Sequence, residues 1–235
     1  MNVARGKNYR KVTYSQRHWK TLHRLRGRAL EILECLIHRN IYAIVHGSIS
    51  RGDIHENSDI DIFIPYPISY PLIIEALYTC GLSVYETRII QATPKYIPKV
   101  YIVMDPLEKE VVSFPLGPLS RSEREFYKWG GELSHKELCS DQRVPGVNKD
   151  LLLILPVENG HVEIPVIGNE KYVAKTVGID ISTVEERIRV LSTRKEKGRT
   201  GLFLEIAVPG EADLPEVVKK IADKNPYFRK RIGVL

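Results

Sequence analysis

The residues best equipped for chemistry lie between His46 and Ile64, in the stretch HGSISRGDIHENSDIDIFI. Asp59 and Asp61 are separated by one residue in an apolar run. A strand through them sets both carboxylates on one face with Phe63 and sends Ile60, Ile62 and Ile64 to the other. Two like charges held that close repel, and a cation shared between them removes the penalty. Mg2+ suits such a pair, because it takes oxygen ligands and leaves positions for water and phosphate oxygens. Upstream, Gly47-Ser48 follows the β-branched run IYAIVH. Glycine allows close backbone approach there, so amide N–H groups and the Ser48 hydroxyl can cradle phosphate oxygens. Arg51 could neutralise phosphate charge or could pair structurally with Asp53. His46 and His55 read as polar support rather than ligands. The bland alternative, an exposed strand with incidental aspartates, sits poorly with isoleucines that need a packed face.

A Gly-Ser turn, an Arg-Gly pair, a spacer and Asp-x-Asp in an apolar strand together resemble the signature of the polymerase-beta nucleotidyltransferase superfamily. The segment is especially similar to archaeal CCA-adding enzymes and to minimal nucleotidyltransferases. The resemblance covers His46–Ile64 closely, and the order of elements around it is compatible. It implies that Asp59 and Asp61 hold two Mg2+ ions bridging the phosphates of an NTP, with Gly47 and Ser48 on the β- and γ-phosphates. The family adds a third carboxylate from a later strand. Glu110, at the head of KEVVSFP, leads for that role, with Asp105 and Glu86 behind it. The slot could instead hold Val112 or Ser113, which would leave in-line attack without its base.

Positioning these groups requires a packed sheet. Leu22, Leu25, Ala29, Leu33 and Leu36 recur at helical steps, which predicts a helix from a Ser15 cap to about Arg39-Asn40. Strands are expected at Ile41–His46, through the Asp pair, and at Thr87–Gln91, Val100–Met104 and Val111–Phe114, the last two joined by a hairpin at Asp105–Lys109. Leu72–Cys80 reads as a short helix. The expected class is α+β, a mixed nucleotidyltransferase sheet with flanking helices. The organisation read from the chain is a basic arm (1–14), the catalytic domain (15–118), a linker rich in Pro, Gly and charge (119–148) with one helix expected near Ser122–Trp129, and a winged-helix-like second domain (149–235).

In the second domain Leu151–Leu155 and Val162–Val166 bracket a hairpin, and helices are expected at Glu170–Val177, Thr183–Thr193 and Leu214–Lys224. Residues 173–194, VAKTVGIDISTVEERIRVLSTR, form a helix-turn-helix pattern with Ser182 or Thr183 as the second cap. They resemble the DNA-binding domain of leucine-responsive-regulator-type proteins, with Gly198–Val208 as a wing. Arg187, Arg189, Arg194, Lys195, Lys197 and Arg199 could meet nucleic acid, while Glu185 and Glu186 would repel it. A protein-docking or structural role stays open.

Net charge is +6, and Met1–Leu30 holds nine Lys or Arg and no acid. Such an arm suits a polyanion, RNA or DNA, or serves as a solvated face. Three scattered cysteines without a CxxC pair argue for a reducing, cytoplasmic setting and against a disulfide framework or structural zinc. No apolar run approaches membrane-spanning length. The leading expectation is Mg2+-dependent transfer of a nucleoside monophosphate from NTP to an acceptor, RNA in the first reading and a protein or small molecule in a third. A regulatory or antitoxin-like nucleic-acid-binding protein with a degenerate site is the alternative.

Overall fold

The computed structural model describes residues 9–198, 201–210 and 212–233. In chain order the elements are β1 (Arg10–Thr13), α1 (Gln16–Ile37), β2 (Ile44–His46), α2 (Ser48–Arg51), β3 (Ile60–Phe63), α3 (Tyr70–Thr79), β4 (Glu86–Gln91), β5 (Lys99–Val103) and β6 (Glu110–Pro115). They continue with α4 (Arg121–Gly130), β7 (Glu132–Ser134), α5 (His135–Cys139), β8 (Gly146–Val147), β9 (Leu152–Val157) and β10 (Gly160–Pro165). The last are α6 (Glu170–Val177), α7 (Ile181–Lys197), β11 (Leu204–Val208), α8 (Leu214–Lys224) and α9 (Pro226–Ile232). The chain divides into two compact units. One comprises the described residues of Met1–Leu30, Val45–Ser58 and Arg121–Thr200; the other comprises Glu31–Ile44, Asp59–Ser120 and the described residues from Gly201 onward.

The first unit is built on an antiparallel sheet of order β1-β10-β9-β8. Helix α1 starts where expected, with the Ser15 hydroxyl accepting from the His18 N–H at 3.2 Å. The stretch read as a basic arm is partly a strand: Arg10–Thr13 pairs antiparallel with β10, Arg10 opposite Glu163. Residues 1–8 of that arm lie outside the described residues. The stretch read as a linker folds as well. It supplies α4, β7, α5 and β8, and Trp129 sits in a core with Val147, Leu153, Ile164, Val173, Val184 and Leu191. The helix expected near Ser122–Trp129 forms as α4, an amphipathic helix whose buried positions include Tyr127 and Trp129.

The two helices expected in this stretch form as α6 and α7. Gly178, at φ 72°, closes α6 in the left-handed region that glycine enters without steric cost. Asp180, rather than Ser182 or Thr183, caps α7, accepting from the Ser182 N–H at 2.9 Å. The Thr183 hydroxyl is committed elsewhere, donating to Glu125 of α4 at 2.5 Å. Burial pushes the Glu125 carboxyl up, but hydrogen bonds from Thr183, Arg121 and the Asp180 N–H outweigh it and hold the group below its ordinary range.

The second unit holds a mixed run of strands, β11-β4-β5-β6-β3, in which β3 and β6 are parallel and the other neighbours antiparallel. The expected α+β mixture is therefore found. One face carries the buried Ile60, Ile62, Val100, Ile102, Val112 and Phe114. The residues expected to form a wing behave differently: Leu204–Val208 pairs with β4, Leu204 opposite Gln91 and Val208 opposite Thr87. Arg199 and Thr200 of the expected wing lie outside the described residues. The alternation of this strand serves the sheet that contains β4.

The cysteines overturn one expectation. Cys35 near the end of α1 and Cys80 just after α3 form a disulfide, with their Cα atoms 6.0 Å apart. A pair separated by 45 residues leaves no local spacing motif to read. Cys139 is free and exposed. Among the described residues no helix is long and apolar enough to cross a membrane.

Candidate active site

The turn after β2 is shaped by backbone before side chains. Gly47 sits at φ 87°, a conformation open to glycine and strained for an L side chain. A Cβ there would meet nothing within 4 Å, so the requirement for glycine comes from the backbone angle and not from crowding. The Gly47 N–H donates to the Gly131 carbonyl at 2.9 Å, and its own carbonyl accepts from the Ser50 and Arg51 N–H groups. Ser50 locks the turn from inside, its hydroxyl donating to the Val45 carbonyl at 2.8 Å. Ser48 is half-buried and its Oγ lies 3.4 Å from that of Ser58, which also accepts the His55 N–H at 2.8 Å. The result is a tight turn that presents Ser48 as the first residue of α2.

Two buried arginines hold that loop. Arg26 of α1 donates to the Ile49 carbonyl from Nε at 3.1 Å and from Nη2 at 3.0 Å, and to Asp141 at 2.8 Å. Nothing in the residue pattern of α1 singled out Arg26, which reads as one more member of the basic arm. Arg51 is 5% exposed and grips Asp53 with two hydrogen bonds, of 2.9 and 3.0 Å, while donating to the Gly130 carbonyl at 2.5 Å. The expected pairing of Arg51 with Asp53 is formed. Its guanidinium is buried and donates to the Asp53 carboxylate and to the Gly130 carbonyl. His46 stacks edge-on against Tyr127, with ring centres 4.9 Å apart, and His55 is exposed.

The carboxylates follow, Asp59 just before β3 and Asp61 within it. Ile60 and Ile62 are buried, whereas Asp59 and Asp61 are half-exposed, as the alternation requires. Phe63 shares their side of the strand but is fully buried, with the Lys99 ammonium 5.5 Å from its ring centre. Asp59 has a neighbour that sequence reading missed: Lys109 Nζ lies 2.8 Å from its Oδ1. The two side chains are 44% and 41% exposed, so this is a solvated pair that a competing cation can open. Lys109 is held in place by Asp105, whose carboxylate accepts from the Leu107, Lys109 and Glu110 N–H groups at 2.7–2.8 Å. The signal for Lys109 was its position: it precedes β6 as Asp59 precedes β3. Among the described residues Asp61 makes no ion pair. Its negative charge does reach Tyr101, whose hydroxyl is pushed up to about 12, first by burial and then by Asp61.

The register decides what stands opposite the pair. Asp61 is opposite Val111, and Ile60 is opposite Glu110. Glu110 is therefore one residue out of phase with Asp61, on the side of the alternation that carries Ile60. Across β6 and β5 the positions in phase with Asp61 and Phe63 are Val111, Ser113, Val103 and Tyr101, and none is a carboxylate. Of the remaining candidates, Asp105 is spent on its turn, and Glu86 pairs with Arg88 at 2.6 Å.

Asp59 and Asp61 fit a hard divalent cation in donor type and exposure. Among the described residues no group of three or more His, Cys, Asp or Glu side chains could hold a metal. The protein would supply two carboxylates, leaving the remaining positions to water and phosphate oxygens, as Mg2+ favours. Comparison with curated proteins and with solved structures finds no match. Residues 28–114, a span that contains Gly47, Ser48, Asp59, Asp61 and Glu110, match the family model of the nucleotidyltransferase domain.

Proposed function

We propose that the protein transfers a nucleoside monophosphate from an NTP to a hydroxyl-bearing acceptor, with RNA as the favoured acceptor class. The observation that carries this reading is the half-exposed pair Asp59, just before β3, and Asp61, within it, inside the span that matches the nucleotidyltransferase domain. In the reaction an acceptor oxygen forms a bond to the α-phosphorus, the bond to the β-phosphate breaks, and pyrophosphate leaves. Asp59 and Asp61 would hold Mg2+, which when bound would offset triphosphate charge and acidify the acceptor hydroxyl. Gly47 lets the backbone approach the phosphates, and Ser48 offers them a hydroxyl. Glu110 stands at the head of β6 as the only acid of that strand. Its register opposite Ile60 makes it a weak partner for Asp61, so the carboxylate pair carries the chemistry.

RNA is favoured by the cations exposed along the first unit, among them Lys11, Lys20 and Arg24. A second reading, a nucleotide- or nucleic-acid-binding regulator that has lost turnover, is favoured by Val111 opposite Asp61. The two separate in one assay. Each labelled NTP is incubated with Mg2+, the protein and an RNA pool, and label on RNA and released pyrophosphate are followed. Asp59→Asn and Asp61→Asn are each expected to reduce turnover by at least about a thousandfold, the scale of losing central electrostatic stabilisation, with unchanged thermal melting. Wild-type turnover in both variants overturns the proposal, and nucleotide binding without any turnover selects the regulator.

A further inference from the structure

We propose that Lys109 is a resident cation that keeps Asp59 neutralised until nucleotide arrives, so that metal and NTP enter the site together. This inference rests on the reading of Asp59 and Asp61 as the metal-holding pair. Two carboxylates one residue apart repel when nothing lies between them. Here the repulsion is relieved from within the chain, by an ammonium 2.8 Å from Asp59 Oδ1. The placement is built rather than incidental. Asp105 fixes the backbone of Lys109 and Glu110 with two hydrogen bonds of 2.7 Å, and the Lys109 carbonyl accepts the Ile60 N–H at 2.6 Å. The backbone on both sides of the ion pair is thus pinned, while the side chains stay solvated and able to separate.

A divalent ion that needs Asp59 must displace the ammonium. Alone, it does so against the ion pair. With a triphosphate present, the ammonium has another anion to satisfy, and the four-carbon stem of lysine lets it move without the backbone. Nucleotide and metal then favour each other, and by linkage the favour is mutual. A chain with a neutral residue at 109 would take metal more readily in the absence of nucleotide and would show less coupling.

The test is a calorimetric titration of the full chain with Mn2+, with and without a non-hydrolysable NTP analogue. The set comprises wild type, Lys109→Met, Lys109→Arg, Asp59→Asn and Asp61→Asn. Lys109→Met is expected to bind Mn2+ about fivefold tighter than wild type without nucleotide, the scale of an exposed ion pair, and to lose most of the analogue's enhancement. Lys109→Arg, which keeps the charge, is expected to behave as wild type, which separates the charge from any disturbance of the fold. If the Asp variants lose Mn2+ binding while Lys109→Met binds no more tightly than wild type, Lys109 has no such role and the carboxylate reading stands. If the Asp variants bind Mn2+ as wild type does, or no protein in the set binds it, the carboxylate reading itself fails and this inference with it.

Discussion

Arg51 carries a full charge at 5% exposure, and every direction its guanidinium points in is answered by Asp53 or by a main-chain carbonyl. A buried charge with its partners removed is far more costly than the same charge in water. Arg51→Ala removes the charge from Asp53, which is itself only 11% exposed, and frees the Gly130 carbonyl. The expected loss is about 3 kcal/mol of folding stability, at the low end for breaking a buried pair. Chemical denaturation at neutral pH measures it, and nucleotide affinity in the folded fraction should change by less than about threefold. A large loss of affinity at unchanged stability would return Arg51 to the phosphates. Asp59 presents the opposite case: its ion pair is half in solvent, so the same kind of contact there governs occupancy of the site rather than stability of the fold.

Among the elements, the disulfide between Cys35 and Cys80 joins α1 to the residue after α3 within one unit. Closing a loop of this length restricts the unfolded chain and contributes about 4 kcal/mol on the chain-entropy scale. Cys80→Ser is expected to lower stability in urea by up to that amount, and a thiol reductant should lower wild type to the same level while leaving the variant unchanged. Equal stability with and without reductant in wild type would remove the bond from the account. The elements legible in the sequence are those whose pattern is local. The alternation of β3 and the helical spacing of α6 and α8 were each readable from a few neighbouring residues. Pairings over long separations were not. Nothing in Arg10–Thr13 announces β10 as its partner, nothing in Leu204–Val208 announces β4, and two cysteines 45 residues apart form no motif. The phase of Glu110 was hidden for the same reason, since a parallel register is set by packing on the shared face and not by the strand's own residues.

At the scale of the whole molecule, the +6 charge suggests a polyanionic partner, but the structure reduces the number of cations that can meet one. Of the nine basic residues before Leu30, Arg10 pairs with Glu163, Arg17 pairs with Glu56, and Arg26 is buried against the Ile49 carbonyl and Asp141. Lys11, Lys20 and Arg24 are exposed. Removing residues 1–14 would strip β1 from β10 as well as removing charge, so a truncation mixes folding with binding. Substituting Lys11, Lys20 and Arg24 together by Gln changes charge alone. If each meets one phosphate of single-stranded RNA, the slope of log affinity against log salt should flatten by about 2, because each contact releases about 0.7 of a counterion. Fluorescence anisotropy with a labelled oligonucleotide across a salt series reads that slope directly. The melting temperature should not move, since none of the three side chains is buried. An unchanged slope would place the polyanion elsewhere, and the exposed Arg189 and Arg194 of α7 would become the next group of cations to substitute.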